Sequence, residues 1–276
     1  MTVFIAIIAG IGYVFSEVYG STGIFWATLV GATIYALIQY FAAAKLALSM
    51  NGAKEIKKSD NPRLYRIVEN LAITNGMPMP KVYVIDDHAP NAFATGRDPK
   101  HAHVAATLGI LELMDDRELE AVMAHEMGHV QNYDIRVMMI VFGLVSAIGL
   151  IADVFLRLMW FGGDNDSPPH PIFMVLGIVA AILAPVVAIL VQAAISRQRE
   201  YLADATGAMT TRDPEGLASA LEKLAGTSTA PRRQNRSTAH LFFANPLKGN
   251  SMAKLFSTHP PLSERITRLR SMGSSF

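Results

Sequence analysis

From Gly23 to Ala44 the chain runs for 22 residues without a charged side chain. A helix of about 20 apolar residues crosses a bilayer core, so this run is long enough to span one; the competing arrangement is a buried core helix of a soluble protein. A shorter run, Val3 to Phe15, precedes it across Gly20, Ser21 and Thr22, and the two together predict a tight helical hairpin. The first run approaches a full span only if Ser16 to Tyr19 are included, and it lacks the basic residues that precede a signal peptide's apolar core. It reads as an uncleaved anchor whose start is trimmed. Two further apolar stretches lie downstream: Val137 to Phe161, interrupted by Asp153 and Arg157, and Ile172 to Ile195. Asp153 and Arg157 are spaced to pair on one helix face, as a buried structural pair rather than an ion path. The loop between these stretches, Gly162 to Pro171, is acidic and turn-rich with no Lys or Arg.

Basic residues mark the other ends of these runs. Lys45, Lys54, Lys57, Lys58, Arg63 and Arg66 follow the second run, and Arg197 and Arg199 follow the fourth. By the bias of Lys and Arg toward the cytoplasmic side, both hairpins independently place the polar segments in the cytoplasm of a multi-pass protein of the cell (inner) membrane. The expected division is a transmembrane hairpin over 1–44, a first soluble part over 45–134, a second hairpin over 135–195 and a second soluble part over 196–276. An apolar content of 51% agrees with a lipid bilayer as partner, and 24 basic against 23 acidic residues, net +1, gives no argument for nucleic acid. The chain has no cysteine, which excludes disulfides, thiolate catalysis and cysteine-ligated zinc and leaves His, Asp and Glu as the strong metal ligands.

In the polar parts, Asp60, Asn61 and Pro62 form a helix start, and Leu64, Ile67, Val68 and Leu71 recur at helical spacing until Asn75 and Gly76. The runs Lys81 to Asp86, Asn91 to Gly96 and His101 to Thr107 predict a small antiparallel sheet. His101 and His103 alternate with apolar neighbours, which reads as two surface residues on one face of an edge strand.

The chemistry gathers in Glu118 to Asn132, ELEAVMAHEMGHVQN. Residues four apart lie on one helix face, so His125 and His129 can present ring nitrogens to one metal ion, with Glu126 beside them as a base. Asp115, Asp116 and Glu118 suit the positive N-terminal end of such a helix. Five residues are a short pattern, and two histidines on an ordinary helix surface match it as well. A catalytic zinc needs a third protein ligand and an open position. In SRQREYLADATGA, Ser196 to Ala208, Glu200 can supply that ligand and Asp204, one turn on, can fix a ligand histidine's tautomer. Equally, Glu200 can pair with Arg197 or Arg199 at the membrane surface.

HEMGH at His125, SRQREYLADATGA around Glu200 and STHPPLSERI at Ser257 to Ile266, in that order, resemble the HtpX-type membrane zinc metalloproteases of the M48 peptidase family. NAFATG at Asn91 and AHLFFANPL at Ala239 are similar to family segments too, and the resemblance covers nearly the whole chain. It departs at the N-terminus, where the family carries a longer, basic lead-in. The resemblance implies one Zn2+ per chain held by His125, His129 and Glu200, with Glu126 as base and Asp204 behind the ligands. It also implies a mainly α membrane protein carrying a zincin-like α+β protease domain, with quality control of membrane or misfolded polypeptides, part of the stress response, as its role. His259, in a stiff turn before a helix over Leu262 to Leu269, can donate a hydrogen bond to the tetrahedral intermediate or cap that helix, and both readings stand. Arg265 is expected to pair with a scaffold carboxylate. Gly226 to Ser251 reads as a surface loop that can cover the cleft.

An extended substrate can add as a strand along Asn91, Ala92, Phe93 and Ala94. At about 1.5 Å per helical residue, the distances in sequence from His129 to Val137 and from Ile195 to Glu200 put the metal within about 15 Å of the apolar boundary. A non-catalytic membrane chaperone or scaffold with a structural metal is the alternative, but a structural site takes four ligands and no base. A transporter would need intramembrane charge that these runs lack.

Overall fold

The computed structural model describes residues 2–140, 175, 179, 197–227, 243 and 260–273. The two downstream apolar stretches beyond Ile140, apart from Val175 and Val179, the Asp153 and Arg157 pair, the loop after Thr227 apart from Phe243, and His259 lie outside the described residues. The chain divides into two compact units, Met1–Ala43 with Ile140–Val191, and Ala44–Met139 with Gln192–Phe276.

In the first unit, α1 (Thr2–Tyr19) turns at Gly20, whose φ of 61° favours glycine, into α2 (Thr22–Met50). The two helices touch where Gly12 meets the Thr28 side chain, an approach that a Cβ on Gly12 would block, and where the Tyr13 ring meets Phe25 edge-on at 6.4 Å. Trp26, Val30, Ile34, Leu37 and Phe41, spaced by three or four, form one exposed apolar face of α2. Among the described residues α2 is the one helix long and apolar enough to cross a membrane.

The second unit is built on a four-stranded sheet. Its strands are β1 (Ala53–Glu55), β2 (Lys81–Ile85), β3 (Ala92–Gly96) and β4 (Ala102–Thr107), in the order β1-β2-β4-β3. β1 and β3 run antiparallel to their neighbours, but β2 and β4 are parallel, with Val82 opposite Val104. The sheet is therefore mixed, which corrects the expected antiparallel arrangement. The chain reverses once on the way to β3 and again through the 3-10 turn Pro99–His101, and two reversals restore the direction of β2. β4 is consequently an interior strand, and its histidines are not an edge pair. His101 sits in the turn with Nδ1 2.7 Å from Asp98. His103 is half-buried edge-on to Tyr83, and burial pushes its imidazole down to about 4.

Helices cover the sheet. Asn61 caps α3 (Pro62–Thr74) by accepting from the Leu64 N–H, and Leu64, Val68, Leu71 and Ala72 are its buried face. Thr107 leads directly into α4 (Leu108–Leu113). Asp115 then starts α5 (Asp116–Gln131) with a full capping box: its side chain accepts from the Glu118 N–H while the Glu118 carboxylate accepts from the Asp115 N–H. The same Glu118 carboxylate is held by Ser219 at 2.7 Å and Lys223 at 2.5 Å from α7 (Pro214–Gly226), which packs on α5 through Leu217 and Leu221. From Leu119 to Val130 only Glu120 of α5 escapes burial. That is why its histidines lie inside the protein and not on a solvated face.

Candidate metal centre

The second ligand-bearing helix, α6 (Arg197–Thr211), crosses α5 at close range because glycines stand at the contact. A Cβ on Gly207 would lie 2.9 Å from the His125 backbone nitrogen, and one on Gly128 would lie 3.3 Å from the Ala203 carbonyl oxygen. Neither neighbour can rotate away, since both are backbone. Gly207→Ala is therefore expected to destabilise by about 1–3 kcal/mol through overpacking, despite alanine's better helix propensity. A thermal melt at or above that of the parent would show that α6 has slack there.

The crossing brings together what the sequence singled out. His125, His129 and Glu200 place one ligand atom each within 4.8 Å of one another, and all three side chains are at most 5% exposed. Glu200 Oε2 stands 3.8 Å from His125 Nε2, and Oε1 stands 3.6 Å from His129 Nε2. Ligands bound at ~2.0–2.2 Å around a tetrahedral ion are about 3.4 Å apart, so a small contraction closes the set on one cation. Each imidazole is held from behind. His125 Nδ1 meets Asp204 Oδ1 at 2.9 Å and His129 Nδ1 meets Asp134 Oδ2 at 3.0 Å. A carboxylate at Nδ1 selects the tautomer whose Nε2 lone pair is free. His125 Nε2 is fully buried with no hydrogen-bond partner among the described residues, an expensive arrangement for a polar atom unless a cation sits there. The donor set fits a single zinc-like ion.

The electrostatics follow from the same neighbours. Burial, reinforced by the Arg265 charge and opposed by Asp204, lowers His125 to about 4. Burial would also lower His129, but Asp134, Glu200 and Glu126 outweigh it and raise that imidazole to about 9. Burial would raise Asp204, yet Arg265 and His125 hold it well below the usual carboxylate range. Arg265, on α8 (Leu262–Gly273), is completely buried, with Nε 2.9 Å and a terminal nitrogen 2.7 Å from the two Asp204 oxygens. The expected pairing with a carboxylate is present, and the carboxylate is Asp204, beside the site. Its guanidinium also lies 4.9 Å from the Phe243 ring, which packs edge-on against His125 at the same distance.

The Glu126 carboxylate reaches β3. Its Oε2 accepts from the Ala94 N–H at 2.7 Å. Burial pushes its carboxyl up to about 7, with His129 opposing and Glu200 adding. A carboxyl poised near neutrality beside a cation site is suited to carry a proton. Of the residues expected to bind substrate, Asn91, Ala92, Phe93 and Ala94 are all buried, and the last three lie on β3, the sheet edge beside the base. The Ala92 carbonyl accepts from the Phe243 N–H at 2.8 Å. Asp134 escaped the sequence reading, because it stands past the end of the helix and off the four-residue rhythm.

Two buried histidines one turn apart, a carboxylate from a second helix and a separate buried glutamate define the class: a single-ion metallopeptidase on a mostly helical fold with a small mixed sheet. The chain matches peptidase family M48 over residues 58–273 and belongs to that family. It is 56% identical over 276 residues to the protease HtpX homolog of Tropheryma whipplei strain Twist, covering 99% of this chain and 94% of that one. It is 45% identical over 257 residues to the protease HtpX homolog of Streptococcus gordonii, covering 91% and 86%. Its fold is similar to the crystal structure of S. mikatae Ste24p, with a TM-score of 0.56 at 22% identity, covering 97% of this chain and 64% of that one. The chain is thus a membrane metalloprotease, a hydrolase.

Proposed function

We propose that this chain is a zinc-dependent endopeptidase that cleaves membrane or misfolded polypeptides at the cytoplasmic face of the cell membrane, in protein quality control. In this reading 1–44 and 135–195 are membrane hairpins, and 45–134 with 196–276 form one protease domain. The observation that carries it is the convergence of His125, His129 and Glu200 with Glu126 alongside. His125, His129 and Glu200 would hold a zinc ion, which would supply Lewis acidity toward a peptide carbonyl and a water near neutral pH. The remaining work belongs to the chain. Glu126 takes the proton from the attacking water and returns it to the leaving nitrogen. Asp204 and Asp134 hold the imidazoles in the ligating tautomer. The β3 edge at Ala92 to Ala94 lines up an extended substrate by backbone pairing, which the nearness of the base to Ala94 supports. A substrate strand there displaces the Phe243 N–H from Ala92.

The decisive test removes the metal. Purified protein treated with a chelator is expected to lose casein cleavage and to regain it with one equivalent of Zn2+. Cleavage that continues in metal-free protein would sink the proposal. A structural-metal scaffold is disfavoured by the glutamate that ligates nothing. Orientation rests on the basic residues after the second run, and a reporter fused after Lys58 is expected on the cytoplasmic side; an external signal reverses the topology. Nearness of the metal to the bilayer rests on the short chain from His129 to Val137 and from Ile195 to Glu200.

A further inference from the structure

We propose that Asp134 is a positioning residue that clasps the two ligand-bearing helices together, setting His129 with one oxygen and the start of α6 with the other. The proposal rests on the reading of His125, His129 and Glu200 as the ligand set. Asp134 stands five residues after His129, where a continuing α-helix would carry it to another face. It returns because the chain leaves α5 through a left-handed residue. Asn132 donates to the Gly128 carbonyl, Tyr133 donates to that of Val130, and Tyr133 itself has φ 60°. That conformation is costly for a non-glycine residue, whose Cβ crowds the following carbonyl oxygen. Asparagine or glycine would avoid the cost, and Tyr133 instead lies under the Arg136 guanidinium, 5.1 Å from its ring centroid.

The turn aims the Asp134 carboxylate inward, where it is 2% exposed. Oδ2 lies 3.0 Å from His129 Nδ1, placed to accept from its N–H. Oδ1 pairs with the guanidinium of Arg199, the residue immediately before the ligand Glu200. Asp204 resembles it on the His125 side, where it meets His125 Nδ1 at 2.9 Å and bonds Arg265, whose guanidinium stands 3.8 Å from Glu200. Asp134 makes the link on the His129 side, from that imidazole to the residue just before the ligand glutamate. It can therefore preset the distance between His129 and Glu200 before the ion arrives.

The test uses the full chain in detergent, with zinc affinity read by competition against a chromophoric chelator and site geometry read from the visible absorption of the Co2+-loaded protein. Asp134→Ala is expected to lose about 10- to 100-fold in zinc affinity and to shift the Co2+ spectrum. Asp134→Asn, whose amide oxygen still accepts from Nδ1, is expected to recover part of that loss and to serve if the alanine variant misfolds. Arg199→Gln is expected to lose less than Asp134→Ala, and to add nothing when combined with it. Unchanged affinity and Co2+ spectrum in Asp134→Ala overturn the proposal. So does a lower melting temperature of the metal-free protein with affinity untouched, or additive losses in the double variant. His129→Ala and Glu200→Gln are the control. If either binds zinc like the parent, the ligand assignment itself has failed, independently of Asp134.

Discussion

Glu126→Gln is expected to lower peptide-bond hydrolysis by about 100- to 10,000-fold, the usual contribution of a positioned proton carrier, while the purified variant keeps its full zinc content. The substitution is nearly isosteric, and the carboxamide oxygen can still accept from the Ala94 N–H that now holds Oε2 at 2.7 Å. Packing around α5 is therefore preserved. What disappears is a group able to accept a proton from water, since an amide has no accessible pKa near 7. Zinc content by elemental analysis and cleavage of casein, measured on the same preparation, separate the outcomes. Full metal with activity near that of the parent would remove Glu126 from the chemistry. Loss of metal would instead make it a ligand, against a geometry that directs it to β3.

Arg265→Met is expected to cost about 3–5 kcal/mol of stability, because removing one partner of a buried ion pair leaves the other uncompensated. Methionine keeps most of the volume beside Phe243 but abandons both oxygens of Asp204, and the Arg265 guanidinium also stands 3.8 Å from Glu200. A thermal melt reads the loss. The second substitution Asp204→Leu distinguishes the causes. Replacing both members of a buried pair by apolar groups is often close to neutral, so the double variant should melt nearer the parent. It should still bind zinc poorly, since His125 then lacks the acceptor at Nδ1. A single variant as stable as the parent would show that Asp204 is already satisfied without the arginine.

Arg265 shows how far local reasoning reaches. Its pairing with an acidic residue is predictable from the cost of burying a guanidinium, but which acid is not, because Asp204 is 61 residues away and meets it only through packing of α8. The same division runs through the sheet. Three of its four strands are legible as short apolar runs between turns. Their order is not, because pairing of β2 with β4 is set by where the chain returns after β3. The three-residue β1 has no periodicity long enough to read. Expecting His101 and His103 at an edge failed for that reason: strand alternation is local, whereas being interior is a property of the neighbours.

What the sequence determines by itself is everything governed by rules spanning one or two turns. The uncharged run that becomes α2, the Asn61 and Asp115 caps, and the four-residue spacing that sets His125 over His129 are all written locally, since helical geometry repeats every 3.6 residues. Tertiary structure alone decides between the two readings of Glu200. Beside Arg197 and Arg199 it can be a surface ion-pair partner. Close packing at Gly128 and Gly207 draws α6 onto α5 and buries Glu200 completely, facing both imidazoles. The reason is physical: a metal site is a set of distances between side chains remote in sequence, and only the packing of helices fixes those distances.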